Sequence, residues 1–239
     1  KSYTAEITFG AETTTQDASG DIIKEYEYTF DENRLRKVID TFKGEQTQVP
    51  PMYSAIKING KKLYEIAREG KEIERKARKI TVYDIRIAEI NPPNKAIIEI
   101  DCSKGTYIRS LCSDIGNKLG WGAFMSSLTR TASGKFKLNE AVKLDELKNA
   151  AERGEAEKFI IPPDDVLSGY KRVTVSEKAD KYLYNGGKIY GGYLKYDKKP
   201  SDNEIVLGYD ATGRLVGIYL YKFDEEKKNY FIKPVRLML

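Results

Sequence analysis

Residues 97–119 read IIEIDCSKGTYIRSLCSDIGNKL. The apolar period changes inside this stretch. An apolar strand ends at a Gly105 turn, Thr106 is placed to cap a helix, and Leu111, Cys112, Ile115 and Leu119 form the helix's buried stripe. The strand thus runs through a tight turn directly into a helix. The turn also sets Tyr107 and Arg109 at the end of the strand, in the helix's first turn. Free N–H groups and the helix dipole there favour an anion, and an arginine adds bidentate recognition of a carboxylate or phosphate. On position alone, such an arginine is more commonly a surface partner of a nearby acid.

The flanking sequence supplies further strands and helices. Residues 1–9 alternate, with Tyr3, Ala5, Ile7 and Phe9 on one face. Residues 22–30 read as a second strand. Asp31 caps a helix carrying Leu35, Val38, Ile39 and Phe42, and Gly44 stops it. Residues 48–57, QVPPMYSAIK, are stiffened by Pro50 and Pro51, and residues 61–69 form a short helix. Strands over 80–90 and 96–102 follow, then a loop around Trp121, a strand near 134–138 and an amphipathic helix over 144–153. Pro162 and Pro163 open a linker. Beyond it, short strands around 172–175, 188–196, 204–209, 214–223 and 229–235, with one short helix capped by Ser176, predict a small β-barrel. The expected domains are 1–165 and 166–239.

Composition narrows the chemistry. The chain contains no histidine, so every histidine-based triad and histidine metal site is excluded from it. Cys102 and Cys112 are too few for a cysteine-only zinc site and read as reduced, partly buried thiols. No apolar run approaches a bilayer span. The net charge of +5 resides in residues 171–239, which hold 14 Lys/Arg and 9 Asp/Glu, whereas residues 1–170 hold 27 of each. Residues 55–79 are locally basic, with 9 basic and 4 acidic side chains. This distribution fits a polyanion partner, although a basic run is more commonly a solvated face. Tyr3 on an inward face is commonly core, and Asp17 suits an Asx turn.

Four blocks together carry a resemblance: KSYTAEITFG with TTTQDASG, QVPPMYSAIKINGKKLYEIAREG, CSKGTYIRSLCSDIGNKLG and LTRTASGKF. In this order, covering most of residues 1–137, they resemble the TruB family of bacterial tRNA pseudouridine-55 synthases. The C-terminal IKPVRLM and the barrel before it look like the family's PUA-like RNA-binding domain. The resemblance implies an α/β (α+β) fold: a mixed, largely antiparallel sheet with flanking helices, then a small C-terminal β-barrel. It implies base flipping of a T-loop uridine of tRNA and isomerisation to pseudouridine in the cytoplasm. No cofactor, metal, membrane or obligate protein partner is expected. By the same resemblance Tyr3 stacks on the target base and Leu128 packs beside it. Tyr107 assists proton removal at C5, and Arg109 pairs with the catalytic carboxylate. Lys57, Lys61 and Lys62 contact the RNA backbone.

One departure is large. The family nucleophile is an aspartate in a GxLDPxATG-like motif, and the chain contains no such run; Asp17 matches the TTTQDASG block instead. The family's histidine near that aspartate is also absent. The expectation is therefore a chain lacking an N-terminal segment, inactive alone, with an exposed edge or apolar patch near Tyr3–Phe9. The competing reading is a non-catalytic RNA-binding or RNA-folding module.

Overall fold

The computed structural model describes residues 1–58 and 60–238. The chain divides into two compact units, Lys1–Ala141 and Val142–Leu239. The expected boundary at 165/166 lies within the second. In the first unit the elements run β1 (Ser2–Phe9), β2 (Ala11–Thr13), β3 (Ile22–Glu25), α1 (Glu32–Asp40), β4 (Gly44–Gln48), β5 (Lys57–Ile58), β6 (Lys61–Lys62) and α2 (Leu63–Arg68). They continue with β7 (Arg78–Asn91), β8 (Lys95–Cys102), α3 (Ile108–Leu119), β9 (Ala123–Ser133) and β10 (Phe136–Lys137).

Six strands form one antiparallel sheet in the order β10-β9-β1-β8-β7-β4. β1 is central rather than at an edge. It pairs along its length with β8 on one side and β9 on the other, and Ala5, Ile7 and Phe9 are buried. This corrects the expected exposed edge at Tyr3–Phe9: the long partner β9 covers it. β9 was expected as a loop because residues 126–131, SSLTRT, show no apolar alternation. Backbone pairing with β1, with a bulge between Glu6 and Ile7, holds it in the sheet instead.

The apolar face of the sheet, through Ala5, Ile7, Val82, Ile85, Ile98 and Ile100, packs on Leu35 and Ile39 of α1 and on Leu111, Cys112, Ile115 and Leu119 of α3. Each such large aliphatic side chain contributes about 1.5–3 kcal/mol on burial. Gly116 lets α3 approach: a Cβ there would lie 2.4 Å from both the backbone nitrogen and the Cβ of Ala123. Gly120, at φ +71°, ends the helix in the left-handed conformation. Residues 26–30 do not continue β3. Tyr28 and Phe30 turn instead to surround the buried Trp121, with ring centroids 5.0 and 5.7 Å away.

The second unit contains α4 (Leu144–Glu152), α5 (Pro163–Val166), β11 (Lys171–Val175), α6 (Asp180–Tyr184), β12 (Ile189–Tyr190), β13 (Leu194–Lys195), β14 (Glu204–Tyr209), β15 (Leu215–Asp224) and β16 (Asn229–Leu237). Its sheet runs β12-β16-β15-β14-β11-β13, with β11 and β14 parallel. The two terminal strands, β12 and β13, are joined by only Gly191–Tyr193. So short a link brings the sheet's margins together into a nearly closed barrel. Pro163 starts α5 rather than belonging to a linker. The turn after β14 is organised by Asp210, which is buried and accepts from the Tyr184 hydroxyl at 2.6 Å and from the backbone N–H of Thr212 and Arg214 at 2.9 Å each. No helix among the described residues is long and apolar enough to cross a membrane.

Amides of Ala5 and Ile7 are expected to exchange with solvent as slowly as those of β8, measured by hydrogen–deuterium exchange. Exchange as fast as a surface loop would contradict the central position of β1. The Tyr184 and Thr212 hydrogen bonds hold the Asp210 carboxyl at a pKa of about 2, below its ordinary value of 3.8. Its stabilisation is therefore complete above the ordinary value and declines as pH falls toward about 2. Asp210→Asn should flatten that acid limb in urea titrations taken at successive pH values.

Candidate active site

β8 delivers the chain to a turn at Ser103–Gly105, with Gly105 at φ +87°. Ser103 Oγ accepts from the backbone N–H of Thr81 at 2.9 Å, and Thr106 Oγ1 donates to the Ser103 carbonyl at 3.1 Å. Thr106 thus braces the turn and does not cap the helix. The N-cap position belongs to Tyr107, whose own side chain makes no capping hydrogen bond. Its peptide groups are held from outside the helix. Gln48 Oε1 accepts from the Tyr107 N–H at 2.8 Å, and Gln48 Nε2 donates to the Tyr107 carbonyl at 3.0 Å. Gln48 ends β4 and is only 3% exposed. A buried side-chain amide therefore satisfies the Tyr107 N–H, which would otherwise be unpaired at the helix start, and adds a second donor to a carbonyl that already accepts from the Leu111 N–H at 3.1 Å.

Arg109 lies in the first turn of α3. Its Nη1 is 2.8 Å from Asp17 Oδ2, and its Nη2 donates to the Tyr53 carbonyl at 2.6 Å. Both side chains of the ion pair are largely covered. Asp17 sits in the loop between β2 and β3. Its other oxygen, Oδ1, accepts from Thr15 Oγ1 at 2.6 Å and from the backbone N–H of Ser19 at 3.1 Å, the latter an Asx-turn contact. Partial burial opposes ionisation of Asp17, but the hydrogen bonds from Ser19 and Thr15, with the Arg109 charge, hold its pKa below the ordinary carboxylate value. The loop is tied down further. Ser110 Oγ donates to Gln16 Oε1 at 2.7 Å, and the Gln16 carbonyl accepts from the Met125 N–H at 3.1 Å. The Met52–Ser54 turn brings the proline-rich strap to the same point.

Tyr3 is half-buried, packed against the core, and cross-strand from Ile100 on β8 and Arg130 on β9. Leu128 lies opposite Ala5 and is 41% exposed, an apolar side chain open on the Tyr3 face of the sheet. The structure thus places Tyr3 and Leu128 together on one face and Tyr107 with Arg109 at the start of the helix packed on that face. Lys57 and Lys62 are register partners across the β5–β6 pair. Lys61 pairs with Glu69 at 3.2 Å, and Lys62 Nζ lies 3.2 Å from the Tyr64 hydroxyl. A cavity of about 500 Å³, lined in part by Thr14, Gln16, Tyr53 and Arg75, adjoins the Arg109 node. A second of about 380 Å³ is lined in part by Gln16, Gln48, Pro50 and Ser110. Among the described residues no group of three or more His, Cys, Asp or Glu side chains is arranged to hold a metal ion.

Two site residues were not singled out from sequence. Asp17 read as a turn residue, and its partner is 92 positions away. Gln48 carried no periodic signal at all; only its place beside Pro50 and Pro51 marked the segment.

Comparisons with known proteins agree with this architecture. Residues 1–108 match a family described as "TruB family pseudouridylate synthase (N terminal domain)", and residues 109–168 match "tRNA pseudouridylate synthase B C-terminal domain". The chain is 42% identical over 246 residues to the tRNA pseudouridine synthase B of Alkaliphilus oremlandii, covering all of this chain and 78% of that protein. It is 38% identical over 245 residues to the protein of the same name from Bacillus subtilis, again covering all of this chain and 78% of that one. Among solved structures, a chain of a Cbf5-Nop10-Gar1 complex superposes with a TM-score of 0.71 at 24% identity, covering all of this chain and 66% of that one. A likeness at that identity bears on the fold alone.

Replacing Gln48 with leucine fills a similar volume but strands the Tyr107 N–H, while the Tyr107 carbonyl keeps the Leu111 N–H. The expected loss is about 1–3 kcal/mol for the one N–H left buried and unpaired, read as a fall in the urea midpoint. An unchanged midpoint would show that water replaces the amide without penalty.

Proposed function

The chain belongs to the TruB family of pseudouridylate synthases, and from that premise we propose that it binds the T stem-loop of tRNA and presents the uridine at position 55 for isomerisation to pseudouridine. The observation that carries this reading is the start of α3, where Tyr107 and the covered Arg109–Asp17 pair stand beside the Tyr3–Leu128 face. Extruding the uridine costs a few kcal/mol of stacking. Stacking on the Tyr3 ring returns about 1–3 kcal/mol, and Leu128 excludes water from the base's edge. Lys57, Lys61 and Lys62 meet the phosphate backbone near their hairpin.

Isomerisation breaks the bond from ribose C1′ to uracil N1 and forms one to C5; C5 then loses its proton and N1 gains one. Tyr107 assists removal of the C5 proton. Arg109 keeps a carboxylate ionised. Asp17 serves as the resting partner of Arg109 and not as the attacking group. One of its oxygens is held by the guanidinium and the other by Thr15 and Ser19, which fix the carboxylate facing Arg109 rather than open to a substrate. The 239 residues contain no GxLDPxATG-like run. The chain by itself therefore binds and flips the uridine without turning it over. The second reading is a non-catalytic RNA-binding module, which has no need of Tyr107 and Arg109 at the helix start.

Tritium release from C5-labelled tRNA separates these readings. The chain alone should release no tritium. Joined to a segment bearing the family's aspartate motif it should become active, and Arg109→Ala should abolish that activity. Robust turnover by the chain alone would refute the assignment of Asp17 as a resting partner. Persistent inactivity with the added segment would favour the binding module.

A further inference from the structure

We infer that Arg130 is a phosphate contact that anchors the nucleotide held on Tyr3. The inference rests on the reading of Tyr3 and Leu128 as the platform for the base. Arg130 is the cross-strand partner of Tyr3, and Leu128, two residues earlier on β9, is the partner of Ala5. The three side chains therefore share one face of the sheet, with opposed Cβ atoms about 4.5–5.5 Å apart. A ring for the base, an aliphatic group for its edge and a guanidinium one side chain away match the layout of a nucleotide, whose phosphates flank its base.

The charge environment favours the same role. Arg130 is exposed, and its guanidinium has no hydrogen-bond or ion-pair partner among the described residues. The carboxylates nearest along the sheet fall on the other face: Asp101 is paired with Ser2 and Glu99 with Thr4. On the Tyr3 face the neighbouring positions are Ile100 of β8 and Ile85 of β7. No acid from these strands competes for the guanidinium, so its donors remain free for a ligand. A planar guanidinium takes phosphate oxygens bidentately, which an exposed lysine does only as a point charge.

The test is fluorescence anisotropy of a labelled T-arm RNA hairpin bound to the full chain, between about 50 and 200 mM salt. Arg130→Gln should weaken binding about tenfold and lower the slope of log affinity against log salt by about 0.7. Arg130→Lys should keep the slope. Two further hairpins each carry a neutral methylphosphonate at one phosphate flanking the uridine. One of them should bind the unmodified chain as weakly as the native hairpin binds Arg130→Gln, with no additional loss in that variant. An unchanged slope in Arg130→Gln, or losses that add, would overturn the assignment while leaving the base platform intact. Failure of the unsubstituted chain to bind the hairpin at all would overturn the platform reading, and this inference with it.

Discussion

One guanidinium joins three segments that are far apart in the chain. Arg109 stands on α3, Asp17 on the β2–β3 loop, and the Tyr53 carbonyl on the strap after β4. A largely covered arginine with a carboxylate on one side and a carbonyl on the other is a demanding arrangement. Removing either partner leaves donors that solvent reaches poorly. Neither the loop nor the strap has regular structure of its own to fix it. Both are positioned by the helix start, the loop also by Met125 of β9, and the helix start is positioned in turn by β8 and by Gln48. The geometry of the site therefore rests on the packing of α3 against the sheet more than on either loop.

The sheet explains why that packing is firm. β1 lies in the interior, so its apolar residues meet α1 and α3 on one side while its backbone is saturated by β8 and β9. Tyr3 inherits this rigidity. Its ring sits at the end of a strand that cannot shift register without sending Ala5, Ile7 and Phe9 to the opposite face.

Much of the fold was legible because periodicity carries it. The β8–turn–α3 block, the Asp31 cap, β7 and the barrel strands β14, β15 and β16 follow from apolar spacing and turn chemistry. What escaped has a common cause. β9 is polar over residues 126–131 and is a strand only because β1 pairs with it. Residues 26–30 alternate like a strand but turn away to pack on Trp121. The site divides in the same way. Tyr107 and Arg109 could be placed at a helix start from local sequence, and family blocks pointed to Tyr3 and Leu128. Asp17 and Gln48 could not be assigned, because their partners are 92 and 59 residues distant. Local patterns report which backbone forms; they do not report which polar side chain closes over it.

The amide of Gln48 has a consequence for how the two halves of the site respond to their surroundings. A carboxamide carries no titratable proton and no net charge, so its hold on the Tyr107 peptide is indifferent to acid and nearly so to salt. The neighbouring hold on Arg109 depends on an ionised carboxylate and is sensitive to acid. The tyrosine and the arginine, two residues apart on one helix, are thus secured by fastenings of different kind. A partner that draws Asp17 away, or a medium that discharges it, can free the arginine while the tyrosine stays in register.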